Sequence, residues 1–90
     1  MAQTDLNQAL QRIRSKNITL TPQRYALLEY LYSQGSYTTV RGMCDALSAK
    51  YPHINPTSVY STMRVFKQLG LVRELAVIDD SNRYEAAIGS

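Results

Sequence analysis

Cysteine, histidine and tryptophan are almost missing from this chain, which has only Cys44, only His53 and no Trp. A single cysteine excludes an internal disulfide. Cys44 and His53 together fall short of the four nitrogen and sulfur ligands of a structural zinc site. No apolar run approaches the ~20 residues needed to cross a bilayer. The opening MAQTDLNQAL lacks the basic start and apolar stretch of a signal peptide. A cytoplasmic protein with no membrane partner is therefore expected. Enzyme signatures are missing too: there is no nucleophile beside a base, no pair of carboxylates in a plausible pocket, no phosphate-cradling glycine loop and no cofactor motif. Cys44 falls on the buried side of an expected helix with no cation nearby to activate it, so it reads as a core residue.

Acid is missing in one place. From Ala46 to Arg73 there is no Asp or Glu, while Lys50, Arg64, Lys67 and Arg73 are present. The net charge is only +3, so it is the distribution that matters. A basic stretch centred on one helix is the footprint of a polyanionic partner.

What is present fits one small folded domain, residues 1–90. Its 44% hydrophobic and 19% charged composition is that of a packed chain rather than a disordered one. Leu6, Ala9, Leu10 and Ile13 form one stripe at helical spacing over residues 4–16, and Asn17 is positioned to stop that helix. Thr21 then caps a second helix, Pro22 suits its first position, and Gly35 ends it. Its apolar face is Leu27, Leu28, Leu31 and Tyr32. The short β-prone SYTT adds a small strand before a third helix over residues 39–51, with Val40, Met43, Cys44 and Leu47 inside. Gly42 weakens that helix by about 1 kcal/mol relative to alanine. Asn55 caps a fourth helix, Pro56 starts it and Gly70 lies past its end. Strands over residues 71–78 and 83–88, joined by DDSN, complete the order. The expected fold is mainly α with a small β-hairpin wing: a winged helix-turn-helix, four helices and then a two-stranded hairpin. In such a fold the second helix of the tight pair enters the major groove and the hairpin lies along the backbone.

The fourth helix has two unlike faces. At 100° per residue, Val59, Met63 and Phe66 cluster on one side, flanked by Thr62 and Leu69. Thr57, Ser61, Arg64 and Gln68 lie opposite, with Tyr60 and Lys67 at the edge. Every group there can donate a hydrogen bond and none is negative. Hydroxyls and amides reach base edges, a tyrosine ring packs on a thymine methyl, and Arg and Lys hold phosphates or guanine. The helix starts at residues 22–24 and 56–58 offer free N–H groups to phosphates.

LTPQRYALLEYL, PHINPTSVYSTMRVFKQLGLVREL and SNRYE, in that order and at matching spacing from Ile13 to Glu85, resemble the N-terminal DNA-binding domain of the ferric uptake regulator (Fur) family, nearest its peroxide-sensing branch. The resemblance implies a metal-responsive, dimeric transcriptional repressor of AT-rich inverted repeats. It also implies base contact by Tyr60 and backbone contact by Arg24. The sequence departs from the pattern in several places. Ser61 stands where the family often has arginine, or asparagine in peroxide sensors. Thr19 stands where a minor-groove basic residue is frequent, and Lys16 is the candidate to replace it. In the family, a histidine before the third helix and an acid on the second wing strand belong to the regulatory metal site. Glu85 matches the acid, but Tyr37 replaces the histidine, so no metal site is expected in this chain. The parent family uses Zn and Fe or Mn through a C-terminal metal-binding and dimerisation domain. That domain is expected to be absent here, the chain being either a domain of a longer regulator that is itself a homodimer or a natural short form. The fragment alone is expected to be a monomer or weak dimer.

The expected partner is double-stranded DNA, with Thr57, Ser58, Tyr60 and Ser61 facing bases. Arg24, Lys50, Arg64 and Lys67 are expected on phosphates, and Arg73 and Arg83 along the flanking backbone or minor groove. The alternative is a winged-helix protein–protein interaction module without specific DNA binding. A steep fall of duplex affinity with salt separates the two.

Overall fold

The computed structural model describes residues 2–35, 37–75 and 82–87. Four helices and three short strands follow one another: α1 (Ala2–Ser15), α2 (Pro22–Gln34), β1 (Thr38–Thr39), α3 (Val40–Leu47), α4 (Pro56–Gln68), β2 (Val72–Leu75) and β3 (Arg83–Ala86). The ends of these helices are set by local chemistry. Asn17 takes φ 58, with the Ile18 N–H reaching the Ile13 carbonyl at 3.3 Å and the Asn17 N–H reaching Arg14 at 3.1 Å. This is the paired bonding of a left-handed helix stop, made here by asparagine rather than glycine. Thr21 accepts the Arg24 N–H and Asn55 the Ser58 N–H through their side chains, as N-caps do.

The third helix is shorter than the expected 39–51. Thr39 caps it and it ends at Leu47. Beyond Ser48 the Lys50 and Tyr51 N–H groups both fold back on the Leu47 carbonyl, at 3.2 and 2.9 Å. Pro52 disfavours helical backbone at Tyr51, so residues 48–50 form a turn instead. Gly42 sits where the start of α3 passes β1. A Cβ there would lie 3.1 Å from Thr38 Oγ1 and 3.3 Å from Thr39 Oγ1, so the missing side chain is what permits the close approach.

The strands form one antiparallel sheet in the order β1-β3-β2. Val72 pairs with Ala86, Arg73 with Glu85, Glu74 with Tyr84 and Leu75 with Arg83. Thr38 pairs with Tyr84 and Thr39 with Arg83, so SYTT does supply the small strand expected of it. The remainder of the expected hairpin, residues 76–81 and 88, lies outside the described residues. Val72, Tyr84 and Ala86 turn into the core while Arg73 and Arg83 turn out, which is the period of two expected of a half-buried sheet.

One core joins all the layers. Leu6, Ala9 and Ile13 of α1 meet Leu27, Leu28, Leu31 and Tyr32 of α2, with Val40 and Met43 of α3 and Val59, Met63 and Phe66 of α4. Leu10, Cys44, Leu47 and Leu69 pack at its edge, half-buried rather than buried. Thr62 is the buried polar exception, and its hydroxyl donates to the Ser58 carbonyl at 2.9 Å.

Candidate nucleic-acid interface

The core fixes which way α4 faces. Because Val59, Met63 and Phe66 are sunk, Thr57, Tyr60, Ser61, Arg64, Lys67 and Gln68 are left exposed on the outer side. Tyr60 is 44% exposed, a large ring kept in water. No acid lies anywhere on this helix. Arg64 makes no ion pair among the described residues.

The end of α4 is locked to the wing by several bonds. Gly70 takes φ 75, its N–H reaches Lys67 at 3.0 Å, and the Leu71 N–H reaches Phe66 at 2.9 Å. Arg12 of α1 donates to the Leu69 carbonyl at 3.0 Å. The buried Tyr32 hydroxyl donates to the Leu71 carbonyl at 2.7 Å, and the Ala87 N–H reaches the same carbonyl at 2.9 Å. The sheet therefore starts from a fixed point immediately after α4.

The start of α4 is tied to the start of α2. Gln23 Nε2 donates to Ser58 Oγ at 3.2 Å, and the Tyr51 hydroxyl to the Pro22 carbonyl at 3.3 Å. Between them lies an open groove of about 460 Å³ lined by Arg24, Ser58 and Ser61 among others. Two helix N-termini therefore converge on one surface, and their dipoles favour an anion there. The supply of free N–H groups is smaller than the sequence suggested. Pro22 and Pro56 have none, and the caps take those of Arg24 and Ser58. Gln23 and Thr57 are left to offer theirs.

The expected contact residues are placed as follows. Thr57, Tyr60, Ser61 and Arg64 share the open face of α4. Ser58 is half-buried, its hydroxyl donating to the Asn55 carbonyl at 2.9 Å while accepting from Gln23. Arg24 borders the groove, with its guanidinium on the Thr19 carbonyl at 3.0 Å. Lys50 stands apart in the turn before α4, its ammonium 5.9 Å from the centre of the Tyr51 ring. Lys67 is held by Glu74 at 2.8 Å and Arg73 by Glu85 at 2.9 Å, while Arg83 is exposed on the outer side of the sheet. Sequence reasoning passed over two groups. Arg41, on the exposed side of α3, lines a cleft of about 530 Å³ with Tyr60 and Asn82; its signal was a lone base in the first turn of α3. Glu74, one residue beyond the acid-free stretch, reaches back to the basic face of α4.

A model of the ferric uptake regulator family matches residues 15–90. The chain belongs to that family. It is 38% identical to the peroxide operon regulator of Bacillus subtilis, over 94% of this chain and 59% of the relative. It is 37% identical to the peroxide-responsive repressor PerR of Staphylococcus epidermidis, over 90% of this chain and 54% of that one. Among solved structures, the Helicobacter pylori ferric uptake regulator superposes with a TM-score of 0.84 at 18% identity, covering all of this chain and 60% of that one. A zinc uptake regulator complexed with zinc and DNA superposes with a TM-score of 0.82 at 25% identity, over 99% of this chain and 57% of that one. The chain thus spans a little over half the length of these relatives. The fold is the winged helix of this family, whose members are transcriptional regulators and not enzymes.

The family name raises the question of metal, and the described residues do not assemble a site for one. Among the described residues no three of His, Cys, Asp and Glu come together. The Glu85 carboxylate is already engaged by the Arg73 guanidinium. Tyr37, where a histidine would serve, is a phenol 45% exposed to solvent. Nor is Cys44 a ready thiolate: burial and then the charge of Asp45 push its pKa up. No helix among the described residues is long and apolar enough to cross a membrane.

Proposed function

We propose that this domain is the DNA-reading part of a Fur-family transcriptional repressor, recognising AT-rich inverted repeats as one half of a homodimer. The observation that carries the reading is the open face of α4, where Thr57, Tyr60, Ser61, Arg64 and Gln68 stand exposed without an acid among them. α4 docks in the major groove, as the second helix of a helix-turn-helix does. Thr57, Tyr60 and Ser61 reach base edges, and Ser58 sets the start of the helix beneath them. Arg64, Arg24 and Lys50 hold phosphates, the convergent starts of α2 and α4 assist Arg24, and Arg83 follows the flanking backbone. Lys67 and Arg73 are left out of this set because Glu74 and Glu85 hold them.

The zinc uptake regulator solved with zinc and DNA supports a metal-dependent signal in the parent protein. Zinc and iron or manganese would then be bound by residues outside this domain, since Glu85 and Tyr37 do not supply a site. A single half binds weakly, and linking two halves through a dimer raises affinity without any new contact.

Tyr60→Ala tests the reading. It is expected to weaken binding to the operator-like duplex by about 1–3 kcal/mol while leaving a scrambled duplex little affected. Fluorescence anisotropy with both duplexes measures this. Unchanged discrimination between them would remove Tyr60 from base reading.

A further inference from the structure

Among the described residues, Glu74 is the one acid lining the cleft between α4 and the sheet. That cleft, of about 300 Å³, is bordered by Tyr60, Met63, Arg64, Lys67, Asn82 and Tyr84. The Glu74 side chain is 21% exposed, and both of its oxygens are occupied. Oε1 accepts from Lys67 Nζ at 2.8 Å. Oε2 accepts from Asn82 Nδ2 at 2.5 Å and from the Tyr84 hydroxyl at 3.1 Å. The three donors come from α4, from the residue entering β3, and from β3 itself.

An exposed ion pair by itself is worth little, largely because two flexible chains must be ordered to form it. Here Asn82 and Tyr84 have already fixed the carboxylate, so only Lys67 has ordering left to lose. A phosphate competing for Lys67 must approach this carboxylate and strip a half-buried anion of one donor. Arg64, one turn earlier on the same side of α4, meets no such competitor among the described residues. Two neighbouring cations on one helix face therefore stand in different electrostatic settings.

We propose that Glu74 sets the affinity of this domain for DNA: it withholds Lys67 from the DNA backbone and makes it a strut between α4 and the sheet. The inference rests on the DNA-binding reading above and deepens it. Affinity that ignores sequence comes from the count of neutralised phosphates. Removing one cation from that count lowers binding to every duplex alike and leaves the base contacts of Tyr60 and Ser61 to decide between sequences.

The test is a salt titration of duplex binding by anisotropy, with an AT-rich palindrome and a scrambled duplex, between about 50 and 200 mM salt. The proteins are wild type, Lys67→Ala, Glu74→Gln, the double variant, and Glu29→Gln as a control for charge at an exposed site on α2. One added phosphate contact steepens the slope of log K against log salt by about 0.9, or roughly threefold in affinity across that range. Glu74→Gln is expected to show that increase on both duplexes to the same extent, leaving the ratio between them unchanged. The increase should vanish in the double variant and be missing from Glu29→Gln. Lys67→Ala alone should leave the wild-type slope unchanged, and a thermal melt by circular dichroism checks that each variant remains folded at the temperature of the titration. The proposal is overturned if Lys67→Ala flattens the slope by about 0.9, or if Glu74→Gln behaves like Glu29→Gln, or if its gain survives in the double variant. If neither duplex is bound by any of the proteins, the DNA-binding reading falls and takes the proposal with it. Duplex binding without the slope pattern removes the proposal alone.

Discussion

Tyr32→Phe removes one oxygen from the joint between the reading helix and the sheet. The hydroxyl is buried and donates at 2.7 Å to the Leu71 carbonyl, 39 residues away. The size of its effect depends on what that carbonyl keeps. An orphaned buried carbonyl costs about 1–3 kcal/mol, whereas loss of one neutral hydrogen bond with the partner still satisfied costs about 0.5–1.5 kcal/mol. Leu71 retains the Ala87 N–H at 2.9 Å, so the smaller figure applies. The ring keeps its packing against the core. In a domain of this length each kcal/mol moves Tm by about 4–8 °C, which gives an expected fall of roughly 2–12 °C. Thermal melting by circular dichroism reads it, and a urea titration should show a lower midpoint at unchanged m. A loss above about 3 kcal/mol would mean that Leu71 had no second donor. No loss at all would mean that the hydroxyl makes no bond there.

Other outcomes follow from particular groups. Gly70→Ala places a side chain on left-handed backbone, with its Cβ 3.2 Å from the end of Arg12, and should cost about 1–2 kcal/mol in a urea titration; a neutral result would show that the turn relaxes freely. The Tyr84 phenol is pushed up to about 12, first by burial and then by its bond to Glu74. Its folded pKa lies above its unfolded value of 10.0, so its contribution is whole below that value and is lost as pH rises through about 12. Stability should decline across this window by on the order of 2 kcal/mol, and Tyr84→Phe should remove most of the decline. Glu74 works in the opposite direction. Its pKa is held down chiefly by the Lys67 hydrogen bond, so its support is present above the ordinary carboxyl value and is lost as pH falls through the lowered one. An acid denaturation profile that is the same in Glu74→Gln as in wild type would contradict this. Cys44, half-buried with a raised pKa, should react with iodoacetamide much more slowly than an unfolded-chain thiol at pH 8; equal rates would place it in solvent.

The elements governed by local chemistry could be read from the residues alone. Thr21-Pro22 and Asn55-Pro56 announced the starts of α2 and α4, and Asn17, Gly35 and Gly70 the stops. The helical period of Val59, Met63 and Phe66 set the orientation of α4 and so exposed its polar side. What escaped the sequence depends on long-range geometry. Ser58 looks like a free hydroxyl in the sequence, but Gln23, 35 residues earlier, engages it. Lys67 and Glu74 are seven apart on different elements, and only the packing of β2 beside α4 brings them to 2.8 Å. The open face of α4 was therefore legible, while the distribution of its charges was not.

The sheet order carries a consequence for how the molecule assembles and comes apart. Of the three described strands, β3 comes last in sequence and lies in the middle in space, with β1 and β2 both resting on it. During synthesis the helices can form and meet while β1 and β2 wait, each without a hydrogen-bonding neighbour, until β3 arrives. The slow step should thus be this late closure across a long stretch of chain, and not the helix pairing. Tension applied from the C-terminal side would load β3 first. Its departure frees both neighbours, withdraws the Ala87 N–H from Leu71 and takes Tyr84 and Ala86 out of the shared core, so the wing gives way as one unit.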